Sequence, residues 1–166
     1  EITETLGLGD THGWWSALAA ADLDGDGDLD LVGGNRGLNA QVGASPAEPA
    51  TLLAADIDGN GSIDPVLSYY IDGVSVPAVS RDEMLGQVAA LRRQFTDYAS
   101  YADATVEDIV PAERRTGALR LRATTFASAV FVNEGGQFAS RPLPVEAQEI
   151  GRAHVELQSP MYLVCR

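Results

Sequence analysis

Short apolar runs alternate with polar turns along most of the chain, and this pattern predicts strands more than helices. The runs ALAAAD and TLLAAD lead into two aspartate-rich segments, which are followed by LVGGN and PVLSYYIDG. A further alternating run, ALRLRATTF, begins at Ala118. Residues 127–144 place a Gly-Gly turn between two apolar runs, which predicts a β-hairpin. We therefore expect a mainly β fold.

One segment has the apolar spacing of a helix instead. In SRDEMLGQVAALRRQF, Ser80 and Glu83 have the spacing of a capping box. Apolar residues then recur every three or four positions, namely Met84, Val88, Leu91 and Phe95. This spacing predicts one helix through residues 80–95, with its apolar face inward and Arg92 and Arg93 outward.

A second, shorter helix is predicted over TVEDIV, which starts at Thr105 and is followed by Pro111. Together the two helices predict a helical insertion at about residues 80–112 of the β fold. Such an insertion either packs its apolar face on the β fold or forms a lid that binds a partner, since insertions on rigid scaffolds often carry recognition.

The segment DLDGDGDLD, residues 22–30, has an aspartate at every second position. Carboxylates this close together repel one another, so the folded chain needs a counter-charge. Calcium supplies one, because it takes roughly six to eight oxygen ligands, and glycine permits the sharp turns around it. The segment DIDGNGSID, residues 56–64, repeats the pattern 34 residues later.

Each segment offers calcium five oxygen ligands at alternate positions, of which the fourth is a backbone carbonyl. The first loop offers the side chains of Asp22, Asp24, Asp26 and Asp30 and the carbonyl of Asp28. The second loop offers the side chains of Asp56, Asp58, Asn60 and Asp64 and the carbonyl of Ser62. Because the first loop has four liganding carboxylates and the second has three, we expect the first to bind calcium more tightly.

Two alternatives to these calcium sites are a pair of solvated Asp-Gly turns and a magnesium site. Magnesium is the weaker candidate because it prefers to keep its waters. An EF-hand is excluded by what stands at the twelfth loop position, which is Gly33 in one loop and Leu67 in the other, not glutamate. Strand-like runs on both sides also argue against the helices of an EF-hand.

Composition narrows the class of partner. The 166 residues carry a formal charge of −13 and include no lysine, so binding to nucleic acid or to anionic membrane surfaces is not expected. No apolar run approaches the length of a membrane span, so membrane insertion is not expected either. The length suffices for one domain with a hydrophobic core.

The last residues, 150–166, differ from the rest of the chain. The sequence IGRAHVELQSPMYLVCR resembles the translation of a common sequencing-library adapter, with a frame slip after Val155. We expect this tail to be an artefact that takes no part in the fold, although a genuine C-terminal strand is the alternative. Its exclusion removes Cys165, so residues 1–149 contain no cysteine for a disulfide or a thiolate site.

The 34-residue period and the strand–loop–strand units favour a β-propeller built from repeated four-stranded blades. The segments AAADLDGDGDLDLVGGN, LAADIDGNGSIDPVL and VFVNEGGQF resemble the FG-GAP/VCBS repeats of integrin-type β-propellers. The segments GGNRGLNAQ and SPAEPATLLAADIDGNGSIDP further resemble bacterial VCBS proteins related to cartilage acidic protein. The resemblance implies that residues 1–149 are a fragment of about two blades, and that the other blades belong to the same, longer chain.

The resemblance implies a calcium-stabilised binding module of a secreted or cell-surface protein, located extracellularly, in the periplasm or on the surface of a bacterium. Its rims would present a surface to a protein or glycan ligand. We expect no catalysis, since His12 is the sole histidine of residues 1–149 and no G-x-S-x-G motif is present. The alternative is a propeller-type enzyme acting on polysaccharide, with its active site outside or only partly inside this fragment.

Overall fold

The computed structural model describes residues 2–40 and 42–149. The adapter-like tail, residues 150–166, lies outside the described residues, so its exclusion from the fold stays a prediction. In the described part the fold is mainly β. Its strands are β1 (Ala17–Ala21), β2 (Asp30–Gly34), β3 (Ala50–Ala55), β4 (Asp64–Ile71), β5 (Val74–Pro77), β6 (Leu119–Ala123), β7 (Ala129–Asn133) and β8 (Phe138–Pro142).

The helices are short, and most of them fall between β5 and β6. The α-helices are α1 (Ile2–Thr5), α2 (Arg81–Gln87), α3 (Tyr98–Ala102), α4 (Val106–Ile109) and α5 (Ala112–Arg115). Two 3₁₀ helices cover Ala89–Arg93 and Val145–Ala147. Helices of this length are not stable alone in water, so they depend on their caps and on burial against the rest of the chain.

The first sheet has the strand order β1-β2-β7-β8 and is antiparallel throughout. The strands β1 and β2 are joined by the first aspartate loop, and Ala21 pairs with Asp30 at its base. The predicted hairpin is confirmed as β7 and β8, in which Asn133 pairs with Phe138. This hairpin adds to β2, so the sheet joins strands that are far apart in the sequence.

The second sheet has the strand order β5-β4-β3-β6. The second aspartate loop joins β3 to β4, and Ala55 pairs with Asp64 at its base. The strands β4 and β5 form a hairpin with a tight turn at Asp72 and Gly73, which both have positive φ angles, 50° and 80°. Positive φ at both turn residues matches the twist of the flanking strands and explains the Asp-Gly pair.

The chain divides into two compact units, each of which holds one sheet. Among the described residues, the first unit comprises those up to Gly43 and those from Ala123 to Glu149, and the second comprises Ala44–Arg122. In the sequence, the second unit is therefore an insertion between β2 and β7 of the first. It contains the second aspartate loop as well as the predicted helical segment at residues 80–112.

The prediction of one continuous helix over residues 80–95 is wrong. The α-helix ends at Gln87, and Val88 leaves the helical conformation with φ −122° and ψ 88° before the chain continues as a 3₁₀ helix. Val88 is completely buried at this break, and its branched Cβ makes it a poor helix former. The capping box of Ser80 and Glu83 is confirmed, as is the short helix after Thr105.

The predicted inward face is also confirmed, because Met84, Val88, Leu91 and Phe95 are at most 7% exposed while Arg92 and Arg93 are exposed. These side chains form the core of the second unit together with residues of β3, β4, α3 and α4, including Leu53, Val66, Tyr101 and Ile109. Tyr101 packs edge-on against Phe95 with ring centroids 5.1 Å apart, and its hydroxyl donates to the carbonyl of Val79. The sequence pattern missed α3, which supplies this tyrosine.

The core of the first unit is built around aromatic contacts on its sheet. Trp15 packs edge-on against Phe131, and its Nε1 donates to the carbonyl of Thr11 at 2.8 Å. A Cβ at Gly33 would lie 2.9 Å from the ring of Trp15, so only glycine permits this contact. Trp14 packs against Phe126, and the two tryptophans therefore serve the packing of the first unit.

Candidate metal centres

Both aspartate loops connect neighbouring antiparallel strands, which confirms that they are not EF-hands. In the first loop, the carboxylate of Asp22 accepts hydrogen bonds from the backbone N–H groups of Gly25, at 2.7 Å, and Gly27, at 3.1 Å. Both glycines have positive φ, 84° and 94°, a conformation that other residues adopt only with strain. The chain thereby curls around the carboxylate of Asp22.

Two more side chains of the first loop bond to backbone two residues further on. Asp24 accepts from the N–H of Asp26 at 3.2 Å, and Asp26 accepts from the N–H of Asp28 at 2.8 Å. Such bonds are a usual way for aspartate and asparagine to stabilise a turn. They fix the loop backbone through contacts between near neighbours in the sequence.

The second loop repeats this scheme 34 residues later. Asp56 accepts from the N–H groups of Gly59, at 2.8 Å, and Gly61, at 3.0 Å. The N–H of Asn60 is shared between Asp56, at 3.0 Å, and Asp58, at 3.2 Å. The N–H of Ser62 donates to the side chain of Asn60 at 2.7 Å. The two loops therefore have the same local structure, although one holds Asn60 and Ser62 where the other holds Asp26 and Asp28.

Each loop brings three carboxylates together at one point. One oxygen each from Asp22, Asp24 and Asp30 lie within 4.8 Å of one another, and so do oxygens of Asp56, Asp58 and Asp64. Calcium binds oxygen at about 2.3–2.6 Å, so two ligands of one ion can lie up to about 5 Å apart. In each loop, the oxygen donors and their spacing thus fit one hard cation.

The remaining predicted ligands lie on the same loops but outside these groups of three carboxylates. Asp26 and Asp28 are exposed on the first loop, and Asn60 and Ser62 are exposed on the second. The side-chain oxygens of Asp26 and Asn60 each accept a backbone hydrogen bond. A carboxylate or amide oxygen has a second lone pair, so these bonds leave both side chains able to bind a cation.

Comparison with known families adds a match to this part of the chain. The family model of the FG-GAP repeat matches residues 14–45, which include β1, the first aspartate loop and β2. Residues 14–45 are an FG-GAP repeat. No curated protein and no solved structure matches the chain. Among the described helices, none has the length and apolar character needed to cross a membrane.

Asp30 ties the FG-GAP repeat to the hairpin that completes its sheet. Its side chain is 1% exposed, and its two oxygens accept from the backbone N–H groups of Leu23 and Asn133, both at 2.8 Å. These bonds lower the pKa of the Asp30 carboxyl below its usual range, and the bond from Asn133 has the largest effect. Asp30 is therefore charged and buried, and it joins the loop to β7.

Asn133 strengthens the same connection through its side chain. Its amide group donates to the carbonyl of Leu29 at 3.3 Å, and its oxygen accepts from the N–H of Gly136 at 2.8 Å. The side chain thus links the FG-GAP repeat to the turn between β7 and β8. Sequence reasoning did not assign this role, although the segment VFVNEGGQF that carries Asn133 was among the motifs of the family resemblance.

In the second loop, Asp64 has the position of Asp30 and is 5% exposed, and it accepts from the N–H of Ile57 at 3.1 Å. This loop also has a neighbouring cation. Nη1 of Arg114, on α5, lies 4.0 Å from a carboxylate oxygen of Asp56. The sequence contains no local signal for this contact, because Arg114 follows Asp56 by 58 residues.

Proposed function

We propose that the chain is part of a calcium-stabilised, propeller-type binding module. The observation that carries the proposal is the convergence of three carboxylate oxygens within 4.8 Å in both aspartate loops. An FG-GAP repeat at residues 14–45 supports the propeller-type module. In the first loop the proposed calcium ligands are the carbonyl of Asp28 and the side chains of Asp22, Asp24, Asp26 and Asp30. In the second loop they are the carbonyl of Ser62 and the side chains of Asp56, Asp58, Asn60 and Asp64.

In this proposal the ion acts on the shape of each loop. Without a cation, each close pair of exposed carboxylates opposes loop closure by about 1 kcal/mol, and by more where the pair is partly buried. An ion that binds only the folded loop removes this repulsion and stabilises the fold by mass action. Calcium is favoured over magnesium because a ring of carboxylates and carbonyls can replace its hydration shell.

We further propose that each four-stranded antiparallel sheet corresponds to a propeller blade, and that the helical segment at residues 80–112 is an insertion into this architecture. The propeller would be completed by other blades of a longer chain. Within the FG-GAP class, the proposed relatives are the VCBS proteins related to cartilage acidic protein, because the chain shares with them the motifs quoted above. This part of the proposal rests on the strand order and on the repeated loop.

The proposed role is recognition of a protein or glycan ligand at a propeller rim, without catalysis. FG-GAP repeats are typical of extracellular proteins. We accordingly propose an extracellular, periplasmic or cell-surface location. Calcium modules in such compartments have dissociation constants of about 0.1–1 mM, which suits sites that stay filled where calcium is abundant.

Titration calorimetry with calcium tests the metal assignment. We expect heat from two sites in the unmutated chain, of which the first loop has the higher affinity. Asp24→Ala should abolish the tighter site and Asp58→Ala the weaker one, because each removes one of the three carboxylates that converge in its loop. The control is Asp103→Ala, since Asp103 is exposed and lies outside both loops.

Unchanged calcium heat in both loop variants would show that the aspartate loops do not bind the ion. The same titration with magnesium shows whether the loops prefer calcium or magnesium. A magnesium affinity equal to or above that for calcium would contradict the assignment of calcium while leaving a metal site in place.

A further inference from the structure

The two aspartate loops share a backbone scheme but differ in their surroundings. At the second loop, Nη2 of Arg114 lies so close to Gly59 that a Cβ added to this glycine would be only 2.6 Å from it. The guanidinium is therefore in direct contact with the loop. Over the first loop, no atom of the described chain lies within 4 Å of the equivalent position on Gly25. Among the described residues, a cation therefore lies against the second loop, and none lies at the equivalent position of the first.

The position of Arg114 is set by the element that carries it. The helix α5 starts after Pro111, whose carbonyl accepts from the N–H of Arg114 at 2.9 Å. From there the side chain reaches Asp56, whose own side chain is 25% exposed, while that of Arg114 is 43% exposed. The pair is thus partly shielded from water.

A guanidinium at this distance acts on the loop in two opposite ways. It offsets part of the repulsion among Asp56, Asp58 and Asp64, which favours the closed loop when no metal is bound. It also repels an entering divalent cation, since it lies 4.0 Å from a carboxylate oxygen of Asp56. Both effects reduce the gain from binding calcium.

We infer that Arg114 is a resident counter-ion of the second loop, which keeps this loop closed without metal and weakens its affinity for calcium relative to the first loop. This inference rests on the proposed function, because it concerns the same pair of calcium sites. The two loops would then respond to different calcium concentrations. The first loop would fill at lower calcium and the second would fill only at higher calcium.

The test isolates the second loop by calorimetry on the Asp24→Ala background, in which the first loop is disabled. Arg114→Ala on this background should raise the calcium affinity of the second loop about two- to fivefold, a size expected for a partly exposed charge pair. Arg114→Lys, which keeps the charge, should raise it less. The matched control is Arg115→Ala, because Arg115 on the same helix pairs with Glu107 at 3.4 Å and not with the loop.

A second measurement covers the case in which a variant is poorly folded. In chelator, Arg114→Ala should have a lower melting temperature than the unmutated chain, since the loop loses its counter-ion. Addition of calcium should then raise the melting temperature of Arg114→Ala by more than it raises that of the unmutated chain. Arg115→Ala should not enlarge that calcium-induced rise.

The outcomes separate this inference from the proposed function. If the unmutated chain binds calcium and Arg114→Ala leaves the affinity of the second loop unchanged or lowers it, the inference is wrong and the calcium sites stand. If the unmutated chain gives no calcium heat, both are wrong. An equal rise in affinity for Arg114→Ala and Arg115→Ala would also overturn the inference, since it would reflect overall charge alone.

Discussion

Residues of the same type have different roles within one aspartate loop. Asp22 and Asp24 are exposed, and their oxygens accept bonds from the loop backbone and lie at the proposed metal position. Asp30 is buried and holds backbone N–H groups of two separate segments. The sequence assigned all of them one role as ligands, because alternate spacing alone does not distinguish an exposed carboxylate from a buried one.

We predict that Asp30→Ala destabilises the fold even in the absence of calcium. The substitution leaves the N–H groups of Leu23 and Asn133 without their acceptor in a buried place, and such losses are costly. The melting temperature in chelator should fall by about 5 °C or more. Asp26→Ala is the control, since Asp26 is exposed and bonds only within its own loop.

An equal loss of melting temperature for the two variants would contradict the structural role of Asp30. It would indicate that the charge of the loop, and not the link to β7, determines its stability.

At the scale of elements, the helical segment of the second unit depends on its caps. Each of α2, α3 and α4 begins with a capping box, and the cap pairs are Ser80–Glu83, Asp97–Ser100 and Thr105–Asp108. In each pair the carboxylate accepts hydrogen bonds that lower its pKa below the ordinary value. For Glu83 the hydroxyl of Ser80 is the largest cause, followed by the N–H of the same residue.

These lowered pKa values predict that acid weakens the second unit. A carboxyl whose pKa is lower in the folded chain contributes stability above its unfolded pKa and loses it as the pH falls through the folded pKa. For Glu83 the loss should begin near its ordinary pKa of about 4.3 and continue below it. Glutamine can keep the capping box without a charge, so Glu83→Gln should lose less stability between pH 7 and about pH 3.5 than the unmutated chain.

Thermal melts at the two pH values measure this difference. Glu48→Gln serves as the control, because the hydrogen bonds found at Glu48 involve its backbone. The same acid-induced loss in the unmutated chain and in Glu83→Gln would show that the charged cap does not contribute.

At the scale of the whole molecule, a buried polar network joins distant parts of the first unit. The N–H of Asn35 donates to Oγ of Ser128 at 3.1 Å, and the N–H of Ser128 donates to Oε1 of Gln148 at 2.8 Å. The amide of Gln148 donates in turn to the carbonyls of Ser128 and Leu143, at 3.0 and 2.8 Å. All three network side chains are at most 4% exposed, so residues up to Gln148 belong to the packed first unit.

This network and the adapter hypothesis together predict where the chain can be shortened. A chain that ends at Glu149 keeps every described element, and its melting temperature should lie within about 2 °C of that of the full chain. Gln148→Ala should lower the free energy of unfolding by about 1–3 kcal/mol, because it leaves the buried backbone groups that bond to the Gln148 side chain without a hydrogen-bond partner. Thermal or denaturant unfolding of the full chain, the 1–149 chain and the Gln148→Ala variant provides the comparison.

A large loss of stability in the 1–149 chain would contradict the interpretation of residues 150–166 as an artefact. It would mean that the tail contributes to the fold despite its resemblance to an adapter.

Several features follow from the sequence alone because they depend on neighbouring residues. The loop turns need positive φ at alternate positions, which Gly25 and Gly27 provide, and the acceptors lie two to five residues away. The hairpin of β7 and β8, the cap at Ser80 and the inward face of residues 84–95 have the same local origin. Spacing and residue type are sufficient for such features, since few other contacts compete with them.

Other features were decided only by the tertiary structure. The addition of β7 to β2, the bond from Asn133 to Asp30 and the contact of Arg114 with Asp56 each join residues far apart in the sequence. The end of α2 before Val88 is likewise a feature of the folded chain, because helical spacing predicts the burial of Val88 but not the break in the helix beside it. Whether such contacts form depends on how the whole chain packs, because many distant pairings are compatible with the same local pattern and only the buried core selects among them.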